Sequence, residues 1–256
     1  MINARYENPA ARLLAILTAG KEVPPSNNCR KTWSSLLGVE EGNETLLLSR
    51  LGKTMSLIGQ AETEITRIED VDPDRYLGWV EPAVTAFTKQ NLNATWESFS
   101  NHINTHTLNY LSNTADILTA YYPRKSWNTD ELERIGEGID DVIEEVHASQ
   151  LDLEAKEFMV AKLREIQIAI DEYKISGSGP LVEKIESTFG HAVLNPEFRD
   201  VSGSNPAARS FWMIIAKITM LSTLALVLLQ IPNEIKDLLP DETVQFLEHE
   251  NTEPDD

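Results

Sequence analysis

His102 and His106 stand four residues apart in a 256-residue chain. On a helix, that spacing turns two imidazoles toward one metal ion. Glu97 and Asn109 lie on nearby turns, but a third strong ligand is missing and there is no HExxH pattern, so no metal is expected there. His106 also falls in an apolar stripe with Trp96, Phe99, Ile103 and Tyr110, which predicts a half-buried, hydrogen-bonded histidine. A second kind of chemistry is electrostatic. Glu131, Glu133, Glu137, Asp140, Asp141, Glu144 and Glu145 form the densest charge in the chain. Of these, Glu133, Glu137, Asp140, Asp141 and Glu144 are the candidate docking face for a basic partner or a divalent cation. The competing reading is a solvated helix face, and the calcium-loop pattern of alternating Asp or Asn, Gly and a terminal Glu is absent.

Nucleophilic and nucleotide chemistry find no support in the residues. GxSxG, GxxxxGK[ST] and GxGxxG after a strand are all missing, and Ser176 to Gly179 (SGSG) joins two helical segments. Cys29 is the one cysteine, which forms no internal disulfide, fits a reducing compartment and reads as a small half-buried core residue. Trp33, Trp79, Trp96 and Trp127 read as core anchors. No catalytic residue and no cofactor is assigned, and the chain reads as non-enzymatic.

Formal net charge is −19, with a sequence pI of about 4.6. A field of that sign repels phosphate backbones, and Arg30-Lys31 and Arg124-Lys125 are isolated basic pairs, so nucleic acid is excluded as a partner. Anionic headgroups are repelled too, so membrane contact must come from apolar insertion. The first twenty residues lack the basic start and sustained apolar core of a signal peptide, which puts residues up to about 205 in the cytoplasm.

The elements that position these groups are helices. Asn8-Pro9 signals a helix start, closed by Gly20 and Pro24-Pro25. Asn27 or Asn28 caps a short helix through Trp33 and Leu36, closed by Gly38. A longer helix is predicted from about Glu44 to Ile68 on Leu51, Met55, Ile58, Ile65 and Ile68, with Gly52 and Gly59 weakening it or letting another helix approach closely. Asp72-Pro73 opens the next helix, in which Pro82 predicts a kink or break. One long helix is expected over 93–121, with a second stripe of Leu108, Leu111, Ala115, Leu118 and Tyr122. After a linker, one helix carries the acidic face over Leu132, Ile135, Ile139, Val142, Ile143 and Val146. The next places Met159, Leu163, Ile166, Ile170 and Tyr173 in a four-three-four-three seam. Pro180 starts another, through Leu181, Ile185, Phe189 and Val193, which Asn195-Pro196 ends. No alternating run is long enough for a strand.

Residues 211–231 are the longest nearly uncharged run, and about 20 apolar residues span a bilayer. Phe211, Trp212, Ile214, Ile215, Leu221, Leu224, Leu226, Leu228, Leu229 and Ile231 are its candidate membrane-facing residues. Thr219, Ser222, Thr223 and Gln230 make a narrow polar stripe, with Lys217 roughly opposite. Burial inside a helical bundle is the alternative cover. Arg199 and Arg209 before the run, against Lys236 after it, weakly favour a cytoplasmic N-terminal bulk.

The fold class is therefore all-α: a multi-helix bundle with an apolar C-terminal helix of transmembrane length. Its parts are an N-terminal helical module over 1–122, an acidic antiparallel module over 128–195, the apolar helix over 206–240 and a disordered acidic tail over 249–256. NPAARLLAIL near the start, DRYLGWV from Asp74 to Val80, LNATWESF from Leu92 to Phe99 and, more weakly, the helix ending DEYKI resemble segments of an uncharacterised bacterial family of all-helical proteins. That resemblance implies bacterial origin and an all-helical fold, and no activity. The expected function is a non-enzymatic interaction protein, working through a protein partner or self-association and held at the bacterial inner membrane by the apolar helix. The alternatives are a membrane-perturbing effector whose C-terminal helix inserts on triggering, and a soluble, cytoplasmic helical scaffold.

Overall fold

The computed structural model describes residues 8–123, 127–196, 198–200, 205–221 and 239. Among them the chain is all-helical, and the one extended pairing is an isolated antiparallel bridge between Asn28 and Thr95. The chain divides into two compact units: residues 1–126 with 174–177, and residues 127–173 with 178–256.

The first unit begins with α1 (Pro9–Lys21), whose start follows the sequence signal. Asn8 Oδ1 accepts from the Ala11 amide at 2.8 Å, while its Nδ2 donates to Ala115 O and Thr119 Oγ1 at 3.1 and 3.0 Å. Asn8 is fully buried, and its two Nδ2 bonds tie the cap to α6 (Thr105–Tyr121), on which α1 packs. Inside α1, Gly20 makes room for Trp96. A Cβ there would lie 2.9 Å from Cζ2 of the indole, whose Nε1 donates to Gly20 O at 2.9 Å. Asn28 caps α2 (Cys29–Leu36), and Gly38 follows it at φ +62°, a conformation that L side chains rarely adopt. The carbonyls left at that end, Leu37 O and Gly38 O, are met at 2.8 Å by the buried guanidinium of Arg50 from α3 (Glu44–Thr66).

Three sequence expectations change here. The buried side of α3 runs through Leu47, Leu51, Thr54, Leu57, Ile58, Ala61 and Ile65, so Met55 faces outward and the space beside Gly52 and Gly59 is open. The helix opened by Asp72-Pro73 does break, but before Pro82: a 3-10 turn over Pro73–Arg75 ends short of α4 (Val80–Lys89), and Pro82 sits in the first turn of α4, where its missing N–H has no helical partner to lose. The long helix over 93–121 is two pieces, α5 (Glu97–Ser100) and α6. Asn104 breaks it by accepting from the Thr107 amide at 2.9 Å, which starts α6 afresh.

The core of this unit is an aromatic cluster. Trp33 stacks on Phe87 and meets Trp96 and Phe99 edge-on, with centroids 4.8–5.6 Å apart. Such pairs add about 0.5–1.5 kcal/mol each beyond the area they bury. Residues 174–177 join this unit, with Ile175 in its core. Gly177, at φ +70°, passes so close to Arg12 that a Cβ would lie 2.6 Å from Nη1.

The second unit starts with α7 (Thr129–Glu137) and α8 (Ile139–Ala148), where one helix was expected; the chain bends at Gly138 between them. Asp152 caps α9 (Leu153–Asp171), and the expected seam is in place: Met159, Leu163, Ile166 and Ile170 are buried, as is Tyr173 at the start of α10 (Tyr173–Ser176). In α11 (Gly179–Leu194), Leu181, Ile185 and Phe189 are buried as expected. Val193 is exposed and Ala192 takes the core position. Arg164 pairs with Asp140 at 2.5 Å and joins α9 to α8; exposed pairs of this kind contribute about 0–1 kcal/mol.

The last described helix, α12 (Pro206–Leu221), packs against α7, α8, α9 and α11. Phe211, Trp212, Ile214, Ile215 and Ile218 are buried, Leu221 is partly exposed, and Met213 and Lys217 face outward. The expected transmembrane helix is thus not found: no described helix is long and apolar enough to cross a membrane. The physical reason is that helices of the same unit cover the apolar side of residues 211–219. Leu224, Leu226, Leu228, Leu229, Ile231 and the tail over 249–256 lie outside the described residues.

Candidate functional site

The histidine pair does not form a site. His102 lies in the turn before α6 and His106 in its first turn, so one helix does not aim both rings at one point. His106 is exposed rather than half-buried, with its ring stacked on Tyr110 at 6.3 Å. Among the described residues no three His, Cys, Asp or Glu side chains converge as metal ligands would. Cys29, the first residue of α2, is fully buried with its Sγ 3.8 Å from Gln90 Oε1, and burial pushes its thiol pKa up, away from the reactive thiolate.

The first unit carries one open groove of about 600 Å³ between α2, the turn before α3 and the 92–93 loop, which no sequence motif announced. Arg30 is clamped there by Glu44 and by Asn93 Oδ1, and Lys31 lies 2.7 Å from Glu41. The Lys31–Glu41 contact raises the ammonium pKa and lowers that of the carboxyl, through their hydrogen bond first and their charges second. The first amides of α2 are also committed: Cys29 N–H to Ala94 O at 2.9 Å, Arg30 N–H to Leu92 O at 3.2 Å and Lys31 N–H to Asn28 Oδ1 at 3.1 Å. The groove therefore offers hydroxyls and amides, with each cation already matched by a carboxylate. It is suited to a neutral polar contact, and it holds no nucleophile beside a base.

The acidic face is the other candidate. Leu132, Ile135, Ile139, Val142, Ile143 and Val146 turn into the second unit and so direct Glu133, Glu137, Asp140, Asp141 and Glu144 outward, where all five are exposed. Residues 129–148 hold eight carboxylates against one arginine, Arg134, so the face keeps its sign. Asp140 is tied to α9 through Arg164 and accepts from Gln167 at 3.3 Å. The helices stand on a packed core, so the carboxylates are presented by a rigid backbone.

One further cluster was not seen from sequence. The His191 ring lies flat on Phe158 at 3.8 Å and edge-on to Phe198 at 5.0 Å, and Phe198 in turn meets Trp212 of α12. Burial lowers the His191 pKa below its ordinary value; Glu154 opposes that shift and Lys162 adds to it. The residues come from α9, α11, the 198–200 segment and α12, and no local spacing brings such positions together.

Comparison with protein-family models, curated proteins and solved structures gives no match.

Proposed function

We propose that this is a non-enzymatic bacterial helical interaction protein that docks a basic protein partner on the carboxylate face of α7 and α8. The observation that carries this reading is the exposure of Glu133, Glu137, Asp140, Asp141 and Glu144 on one outward side of two packed helices. Fixed charges of one sign raise the encounter rate of an oppositely charged partner and set its register. The charge-paired groove of the first unit offers no such field.

The packing of α12 supports cover by its own bundle over a standing membrane anchor. With residues 211–219 engaged there, the rest of the apolar run to Ile231 falls well short of the about 20 apolar residues that span a bilayer. Inner-membrane attachment is accordingly the weaker half of the reading, and it requires α12 to leave the bundle.

The test is site-specific photo-crosslinking in cells, with the photoreactive residue at Glu137 or Glu144 and, as a control, at exposed Glu81 of the first unit. The reading expects a discrete adduct from the first two positions only, lost when Glu133 and Asp141 are changed to Lys. Equal adducts from Glu81, or adducts indifferent to the charge reversal, would overturn it.

A further inference from the structure

Trp212 is fully buried, and its indole N–H meets no acceptor. Its surroundings are rings: Phe211 edge-on at 5.3 Å, Phe189 stacked at 6.0 Å and Phe198 tilted at 6.5 Å. A buried donor of this kind has lost its hydrogen bond to water and gained nothing in exchange, which favours any state where the N–H reaches water or a headgroup. The one hydroxyl on the buried side of α12 behaves differently. Thr219 Oγ1 donates to Ile215 O at 2.7 Å within the helix, a bond it would keep anywhere the helix went.

The rest of the helix fits a second environment. Phe211, Ile214, Ile215 and Ile218 make its covered side apolar, and Lys217 lies on the exposed side with a stem long enough to reach water from an interface. The sequence after it stays almost uncharged to Ile231. A tryptophan with an apolar body and an N–H seeking a partner is the residue that settles at a membrane–water boundary. The net charge of −19 selects against anionic lipid.

We propose that α12 is a releasable helix whose buried face is an interaction surface for a zwitterionic lipid interface, and that the stranded indole N–H of Trp212 is what keeps its release within reach. This goes beyond the docking face of α7 and α8 and does not depend on it.

The experiment replaces Trp212 in the full chain with 3-benzothienylalanine, which keeps the ring shape and has sulfur where the N–H was. Hydrogen exchange of the α12 amides is followed beside that of α9, together with flotation on phosphatidylcholine vesicles. In the natural chain α12 should exchange faster than α9, and a fraction of the protein should float. The analogue removes the unmet donor without opening a cavity, so α12 exchange should slow about tenfold or more and flotation should drop with it. The same analogue at Trp79, whose N–H is already bonded, should not slow α12. Exchange of α12 no faster than α9, or unaffected by the analogue, overturns release. Slowed exchange with no flotation of either protein overturns lipid as the partner.

Discussion

Trp212 of the second unit sits in its core differently from the three fully buried tryptophans of the first. In the first, Trp33 Nε1 donates to Gln90 Oε1 at 2.6 Å, Trp79 Nε1 to Thr114 Oγ1 at 3.0 Å and Trp96 Nε1 to Gly20 O at 2.9 Å. Each bond links two separate segments, so each indole fastens the unit as well as filling it. In the second, Trp212 fills its site and fastens nothing. Burial alone does not rank how settled a core is. All four rings are buried to within 1 % of complete, and what separates them is whether the polar atom carried inside found a partner.

That difference can be broken at several points. The largest effect is expected from Leu163→Ala in the α9 seam, where a fully buried leucine is lost at a cost of about 2–5 kcal/mol. The second unit should melt at a clearly lower temperature while amide protection in the first is kept. A surface-like response would mean that the seam is misassigned. Next comes the tryptophan comparison itself. Trp79→Phe loses a bond as well as volume and should cost roughly 1–3 kcal/mol more than the lost volume alone. Trp212→Phe loses volume but also removes the unmet donor, so denaturant titrations should show it to be the cheaper of the two. Gly20→Ala follows: its Cβ would press on the Trp96 ring, and overpacking of this kind costs about 1–3 kcal/mol. Loss of first-unit stability without a change in the second is the expected result.

The smallest effect is that of pH. His191 has a folded pKa lowered by burial against Phe158 and Phe198, so the unfolded chain takes up the proton first. The stability tied to this group is therefore complete above its ordinary value of 6.5 and declines as pH falls through that value toward the lower folded one. The second unit should lose stability between pH 7 and 5, and His191→Phe should flatten part of that slope. A slope identical in the variant would remove His191 as its cause.

Much of this arrangement was legible in the residues. Asn8, Asn28 and Asp152 cap the helices that their positions announce, and the α9 seam is buried at the residues its spacing names. Those signals are local, since a cap or a stripe is set by side chains within one or two turns. The breaks at Asn104 and Gly138 went unseen because a continuous apolar stripe is compatible with one helix or with two joined end to end. The cover on Phe211 and Trp212 could not be read at all, because an apolar helix looks the same in sequence whether lipid or other helices surround it. Of the candidate sites, the acidic face was legible, since charge and spacing suffice. The groove at Arg30 and the cluster at His191 are assembled from distant segments.

The central claim is that the Trp212 indole lacks the acceptor that each fully buried indole of the first unit has, and the indole N–H resonances of the full chain report on it directly. In a proton–nitrogen correlation spectrum assigned by single Trp→Phe changes, Trp33, Trp79 and Trp96 should give the downfield protons of hydrogen-bonded indoles, and Trp212 should give an upfield proton characteristic of a donor without an acceptor. A Trp212 proton as far downfield as the other three would show that its N–H is bonded, and the contrast between the units would be gone.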